Sequence, residues 1–195
     1  MGHGAGEGGL SPRLFLVAPE GDATHLAACL AAACAVGDVA SLLVPPTVGK
    51  ALVALAQSKG VAVLTVGEAR AGCDGVQVEA TAEAVSSARQ SIGKDGIVGA
   101  FAGGSRHFAM EAAEAGADYI AFSQNAPTAG GEPIIGWWAE FFQIPGVAFD
   151  PVDASGVDTL LPQNPDFMRP ADAMWDSPEE AARIVTELML RLGAT

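Results

Sequence analysis

Short apolar runs recur along this chain at regular intervals, and Ala-rich stretches with helical spacing fill most of the gaps. The runs are residues 14–18, 39–44, 61–65, 75–78, 97–100, 119–123, 146–149 and, least distinct, 173–175. They are near-continuously apolar rather than alternating, the pattern of parallel strands covered by helices. Small turns such as Ser58-Lys59-Gly60, Lys94-Asp95-Gly96 and Gly116-Ala117-Asp118 introduce several of them. Helical spacing marks residues 23–36, 80–91 and 105–115. Ser177-Pro178-Glu179-Glu180 is a capping box with Pro at the first helical position, followed by an apolar stripe of Ala181, Ile184, Val185, Leu188 and Met189, with Gly193 as the stop. Eight βα units predict an α/β fold, a small (β/α)8 TIM barrel. An open doubly wound sheet is the rival that periodicity alone leaves standing. The gap between the third and fourth runs is short and leaves room for one helical turn at residues 67–71.

Composition narrows the class. The 195 residues are 50% hydrophobic, 17% charged and 6% aromatic, with 24 Gly. That is a compact globular chain, not a disordered or fibrous one. We expect a flexible N-terminus over residues 1–12 and one barrel domain over residues 13–195. Residues 26–37, the longest smooth apolar stretch, are too few to span a bilayer, and no basic-then-apolar leader is evident. Ten Lys/Arg stand against 23 Asp/Glu, a formal net charge of −13 with pI near 4.4. Such a surface repels phosphate backbones and anionic lipid, so neither nucleic acid nor membrane is an expected partner. Cys29, Cys34 and Cys73 form no C-x-x-C and read as small buried hydrophobes of a reducing, cytoplasmic protein.

Motif chemistry is sparse. Gly4-Ala5-Gly6-Glu7-Gly8-Gly9 matches G-x-G-x-x-G, but it precedes every strand and so lacks the strand–turn–helix context that gives the motif meaning. No G-x-S-x-G or H-E-x-x-H occurs. Gly49-Lys50 lacks the preceding glycine of a phosphate loop. Asp150, Asp153 and Asp158 could be read as a divalent-metal cluster, yet a chain with 23 carboxylates clusters them by chance, and we expect no metal site. Trp137, Trp138, Phe141 and Phe142 either clamp a flat ring or cover the core through an interface.

Four segments carry a family resemblance. Ala71-Gly72-Cys73-Asp74-Gly75-Val76-Gln77-Val78 resembles the "GADGVHLG" of thiamine-phosphate synthases. Ile97-Val98-Gly99 and then Glu114-Ala115-Gly116-Ala117-Asp118-Tyr119-Ile120 resemble that family's "IIG…EAGADYIG". Phe122-Ser123 through Pro127-Thr128 falls where the family has "GPVFPTxTK". Their serial order and the short third βα unit agree as well. The resemblance, which takes in the sister thiazole tautomerases, implies a TIM barrel, a homodimer, and a site at the C-terminal ends of the strands.

The same register exposes departures. The resemblance implies a synthase joining a pyrimidine diphosphate to a thiazole phosphate with release of magnesium-bound pyrophosphate, chemistry that needs cations around the leaving group. The family's "QLREK" corresponds to Ser41-Leu42-Leu43-Val44-Pro45, without its Arg and Lys. Its magnesium carboxylates map to Val66-Gly67, beside Glu68, and to the "HLGQED" stretch, which here reads Gln77-Val78-Glu79-Ala80-Thr81-Ala82 and lacks the carboxylate in register. No cofactor is therefore expected; Mg2+ serves the family, but its carboxylates are not matched. The tautomerase histidine corresponds to Gln124, which transfers no protons near neutral pH. Asp150, Asp153 and Asp176 stand where a thiazole phosphate would sit, with Arg106 as the sole expected counter-charge.

The expected site is therefore a set of ligand-binding residues, Gln77, Glu79, Gln124, Asn125, Thr128, Asp150 and Arg106, with catalytic residues unassigned. His107 and Arg106 also read as ordinary first-turn residues of a helix. The function that follows is a thiamine-phosphate synthase-like protein with most family catalytic residues replaced. The alternative is a non-catalytic or regulatory homologue that binds a neutral or cationic small heterocycle at the C-terminal face. A third reading is an unrelated reaction on the same barrel, since fold does not fix function.

Overall fold

The computed structural model describes residues 11–127 and 131–193. Residues 1–10 of the expected flexible terminus, and Thr128, lie outside the described residues. Eight parallel strands close in chain order, and β1 (Arg13–Val17) pairs with β8 (Phe167–Pro170) to complete the ring. Between them lie β2 (Val39–Val44), β3 (Ala62–Val66), β4 (Gly75–Glu79), β5 (Ile97–Gly103), β6 (Tyr119–Phe122) and β7 (Gly146–Val152). The open-sheet rival is excluded by this closure.

The helices are α1 (Ala23–Val36), α2 (Lys50–Ser58), α3 (Ala82–Ile92), α4 (Arg106–Glu114), α5 (Ile134–Phe141), α6 (Ala154–Leu160) and α7 (Pro178–Arg191). Side-chain caps begin five of them: Asp22, Thr81, Ser105, Asp153 and Ser177 each accept a first-turn N–H. The α7 stripe is buried as its spacing predicts. Alternation along each strand divides the core in two. One set, including Phe15, Leu43, Leu64, Tyr119 and Val147, fills the barrel; the other packs between barrel and helices.

Two expectations need correction. The eighth strand is Phe167–Pro170, not residues 173–175. Residues Asp172–Trp175 form a 3-10 turn whose Met174 and Trp175 bury against α1 and α7, so their apolar character reflects helix-layer packing, not a strand. The β3–β4 connection holds no helical turn. Gly67 and Gly72, at φ of 79° and 90°, break it into bends. No helix stands in that connection, yet the outward-facing Val63, Val76 and Val78 are buried between the barrel and the neighbouring helices.

At the N-terminal face, three aspartates just before strands reach back to the neighbouring strand. Asp74 accepts the Val63 N–H at 2.7 Å, Asp118 the Val98 N–H at 2.7 Å, and Asp166 the Gly146 N–H at 2.8 Å. The Asp118 of the "GADY" segment is thus a structural clasp.

Candidate ligand-binding site

A cavity of about 740 Å³ opens at the C-terminal ends of the strands and extends past the β3–β4 connection to α3. Its barrel wall is built from inward-facing positions: Val17, Leu43, Gln77, Glu79, Phe101 and Phe149. Glu68 joins from the β3–β4 connection, and Ala84, Ser87 and Ala88 of α3 line the outer part. The aromatic rings interlock beneath it. Phe101 and Phe149 lie 5.2 Å apart, and Phe15 meets Phe149 at 6.0 Å and Tyr119 at 5.5 Å, both edge-on. Gln77 is 6% exposed and accepts a hydrogen bond from the Tyr119 hydroxyl at 2.9 Å. Burial, with the Asp118 charge adding, pushes the Tyr119 phenol well above its usual value, so it stays a neutral donor.

The expected residues do not converge on one spot. Gln77 and Glu79 share the main cavity. Gln124 and Asn125 border a separate pocket of about 410 Å³ with Asp153 and Gln163. Gln124 clasps the backbone of Asp150 in both directions, donating to its carbonyl at 2.9 Å and accepting its N–H at 3.0 Å. The Asp150 carboxylate accepts from the Ser123 hydroxyl and the Asn125 N–H, both at 2.9 Å. Asp153 caps α6, and the Ser155 hydroxyl and the Gly156 N–H hold its carboxyl below the usual range. Asp176 lies on the α1 side, where burial first, then Glu179 and Asp176, push the Cys29 thiol up. The aspartates read as a repulsive rim are thus largely engaged with their own neighbours.

Arg106 begins α4, pairs with Glu132 at 2.6 Å and stacks 4.6 Å from the Trp137 ring. His107 is exposed beside Glu111, and the His25 ring donates to the Trp175 carbonyl at 2.7 Å. Trp138 is buried, stacks on Phe142 at 4.0 Å and donates to the Ile144 carbonyl, so this half of the aromatic quartet is core.

Arg169 is the residue that sequence reading missed. It follows inward-facing Phe167 by two positions on β8, and its guanidinium lies 5.4 Å from the centre of the Phe149 ring. It donates to the Phe149 carbonyl and pairs with Asp172 at 2.7 Å. The eighth run placed at 173–175 hid it; the alternation Phe167, Arg169 across Met168 was the available signal.

Among the described residues, no group of three or more His, Cys, Asp or Glu could hold a metal. Glu68 and Glu79 supply two carboxylates to the lining, and Mg2+ held by so few carboxylates completes its shell with water and substrate phosphates. Among the described residues lining the cavity, none is a cation that would hold a diphosphate there. What the cavity offers is aromatic faces, an oriented amide and two carboxylates. That set can hold a planar ring by stacking and hydrogen bonding.

Fold and cavity together define a (β/α)8-barrel protein with its candidate site at the C-terminal mouth. The family model described as thiamine monophosphate synthase matches residues 47–164. A thiamine-phosphate synthase of Rhodospirillum centenum is 34% identical over 90% of this chain and 95% of its own length, and one of Hyphomonas neptunium is 33% identical over 90% and 93%. The chain belongs to the thiamine-phosphate synthase family. Among solved structures, a thiamine phosphate pyrophosphorylase of Pyrococcus furiosus superposes with a TM-score of 0.74 at 19% identity, covering 94% of this chain and 96% of that one. A KDPGal structure follows at 0.73 and 14%, covering 91% and 93%. These two likenesses bear on the fold alone.

Proposed function

We propose that this chain is a divergent family member that binds a small neutral or cationic heterocycle at its C-terminal mouth and does not carry out efficient pyrophosphate-releasing coupling. One observation carries this reading. The described walls of the cavity present Phe101, Phe149, Gln77, Glu68 and Glu79, and no Lys or Arg. Charge gathering on a departing pyrophosphate needs preorganised positive groups, and carboxylates in that place act against it. Arg169 is the nearest cation that β8 supplies, and Asp172 already pairs with it.

Turnover with the pyrimidine diphosphate and thiazole phosphate in excess magnesium tests the proposal. We expect a rate far below the usual enzyme median of about 10 per second. Calorimetry at low salt should show thiazole alcohol binding at least as tightly as thiazole phosphate. A second reading, a working synthase, draws on the 34% identity that extends over 90% of the chain. A rate near the median, or tighter binding of the phosphate, selects it.

A further inference from the structure

Resting on the proposal that the mouth binds a heterocycle, we infer that Tyr119 is a positioning residue that locks the Gln77 amide with its NH2 toward the cavity, so that the site selects rings presenting a hydrogen-bond acceptor there.

The phenol donates to Oε1 of Gln77 at 2.9 Å, across the barrel interior from β6 to β4. Both side chains are 6% exposed. Amide orientation follows from such networks. A flipped amide would set its NH2 against the hydroxyl and turn the phenol into an acceptor. The phenolic proton would then be left without a partner in an enclosed place, which is the costly outcome for a buried donor. Burial, with Asp118 adding, raises the phenol's pKa, so the hydroxyl keeps its proton around neutral pH.

The ring that carries this hydroxyl is itself wedged. At Gly99 of β5 a Cβ would stand 1.9 Å from Tyr119 Cζ and 2.2 Å from its oxygen, so only glycine leaves room for the phenol. Phe15 closes the other side edge-on at 5.5 Å. A site that needed only bulk at this position would not require glycine opposite a tyrosine.

Gln77 and Glu79 stand two apart on β4, both facing inward, roughly 6–7 Å apart along the strand. One offers a fixed donor, the other an acceptor, in the cavity that Phe101 and Phe149 also line. The complementary ligand is a planar heteroaromatic ring with an unprotonated ring nitrogen toward Gln77 and an amine or cationic substituent toward Glu79.

The test compares 4-aminopyrimidine with aniline, its isostere lacking ring nitrogens, by NMR titration of the full chain. Wild type should bind the aminopyrimidine about tenfold or more tighter, and Tyr119→Phe should bring that ratio to within about threefold while leaving aniline affinity in place, because a freed amide no longer presents one donor. In wild type, the Gln77 side-chain NH2 resonances should shift with aminopyrimidine and not with aniline. This last readout needs no variant and stands if Tyr119→Phe folds poorly. Equal affinity for both rings, an unchanged ratio in Tyr119→Phe, or binding that leaves the Gln77 resonances unmoved overturns the lock and leaves the heterocycle reading intact. Failure of wild type to bind either ring overturns both.

Discussion

The two sides of the barrel mouth use their polar residues differently. On the β6–β8 side, Gln124 clasps the Asp150 backbone, the Asp150 carboxylate takes Ser123 and Asn125, Asp153 caps α6, and Asp172 pairs with Arg169. On the β3–β4 side, Glu68, Gln77 and Glu79 line an open cavity together with the tilted rings of Phe101 and Phe149. Acidic residues are present on both sides, but the first set is bonded within the protein while the second faces space that a ligand can enter. Counting carboxylates therefore misjudges a site; what each carboxylate already accepts decides whether it can act on a ligand.

The largest test of this contrast is Gly99→Ala. The added methyl would collide with the Tyr119 ring beneath the cavity. Overpacking of this kind typically costs about 1–3 kcal/mol, and a contact this close places the expected loss at about 3 or above. Urea unfolding should report it, and ring binding should weaken in parallel because Gln77 loses its anchor. An unchanged midpoint would show that the barrel floor yields easily and is no precise platform.

Next comes a pair of substitutions that should separate stability from binding. Asp150→Ala removes the acceptor of two hydrogen bonds on the closed side and should cost about 1–3 kcal/mol, with ring affinity kept. Glu79→Gln, exposed on the cavity side, should change stability by no more than about 0.5 kcal/mol and weaken an amine-bearing ring several-fold. The reverse pattern would abolish the distinction between the two sides.

The same contrast explains how much could be read without coordinates. The repeated βα units were legible because the first seven apolar runs are buried toward both the barrel interior and the helices, as strands of a covered parallel sheet must be. Gln77 and Glu79 could be placed together because alternate residues of one strand share a face. β8 escaped because its inward position nearest the mouth is Arg169 and its last residue is Pro170, so it lacks the apolar signature of its neighbours. The Gln124–Asp150 clasp was hidden too: its partners lie 26 residues apart on separate strands, and only the β6–β7 pairing brings them within reach.

A smaller effect should come from Asp172→Asn. Arg169 is 17% exposed and Asp172 59%, so their pair is partly screened. Removing the carboxylate frees a cation at the wall formed by Phe149. Since such exposed pairs are worth at most about 1 kcal/mol, affinity for a phosphorylated ring should rise by no more than about fivefold. Calorimetry with thiazole phosphate against thiazole alcohol would detect it. A fall in phosphate affinity would place Arg169 elsewhere in the energetics of the mouth.

The smallest expected effect concerns Asp153, whose carboxylate is fully exposed but accepts from the Ser155 hydroxyl and from two first-turn N–H groups of α6. These bonds favour the charged form, so the folded pKa lies below the unfolded one. The stability it contributes is therefore present above the unfolded value, about 3.9, and is lost as pH falls through the folded value. Asp153→Asn keeps a competent cap, because Asn and Asp are nearly equal there, but it removes the titration. Glu179 and Glu180 have lowered values as well and contribute in the same acid window, so wild type alone cannot isolate Asp153. The difference between wild type and variant can. Urea midpoints measured from pH 6 down to about 2.5 should show the wild-type curve falling more steeply below about pH 4 than that of Asp153→Asn. Parallel curves would mean that the cap holds as well when protonated, and that Asp153 is less firmly engaged than the rest of its side of the mouth.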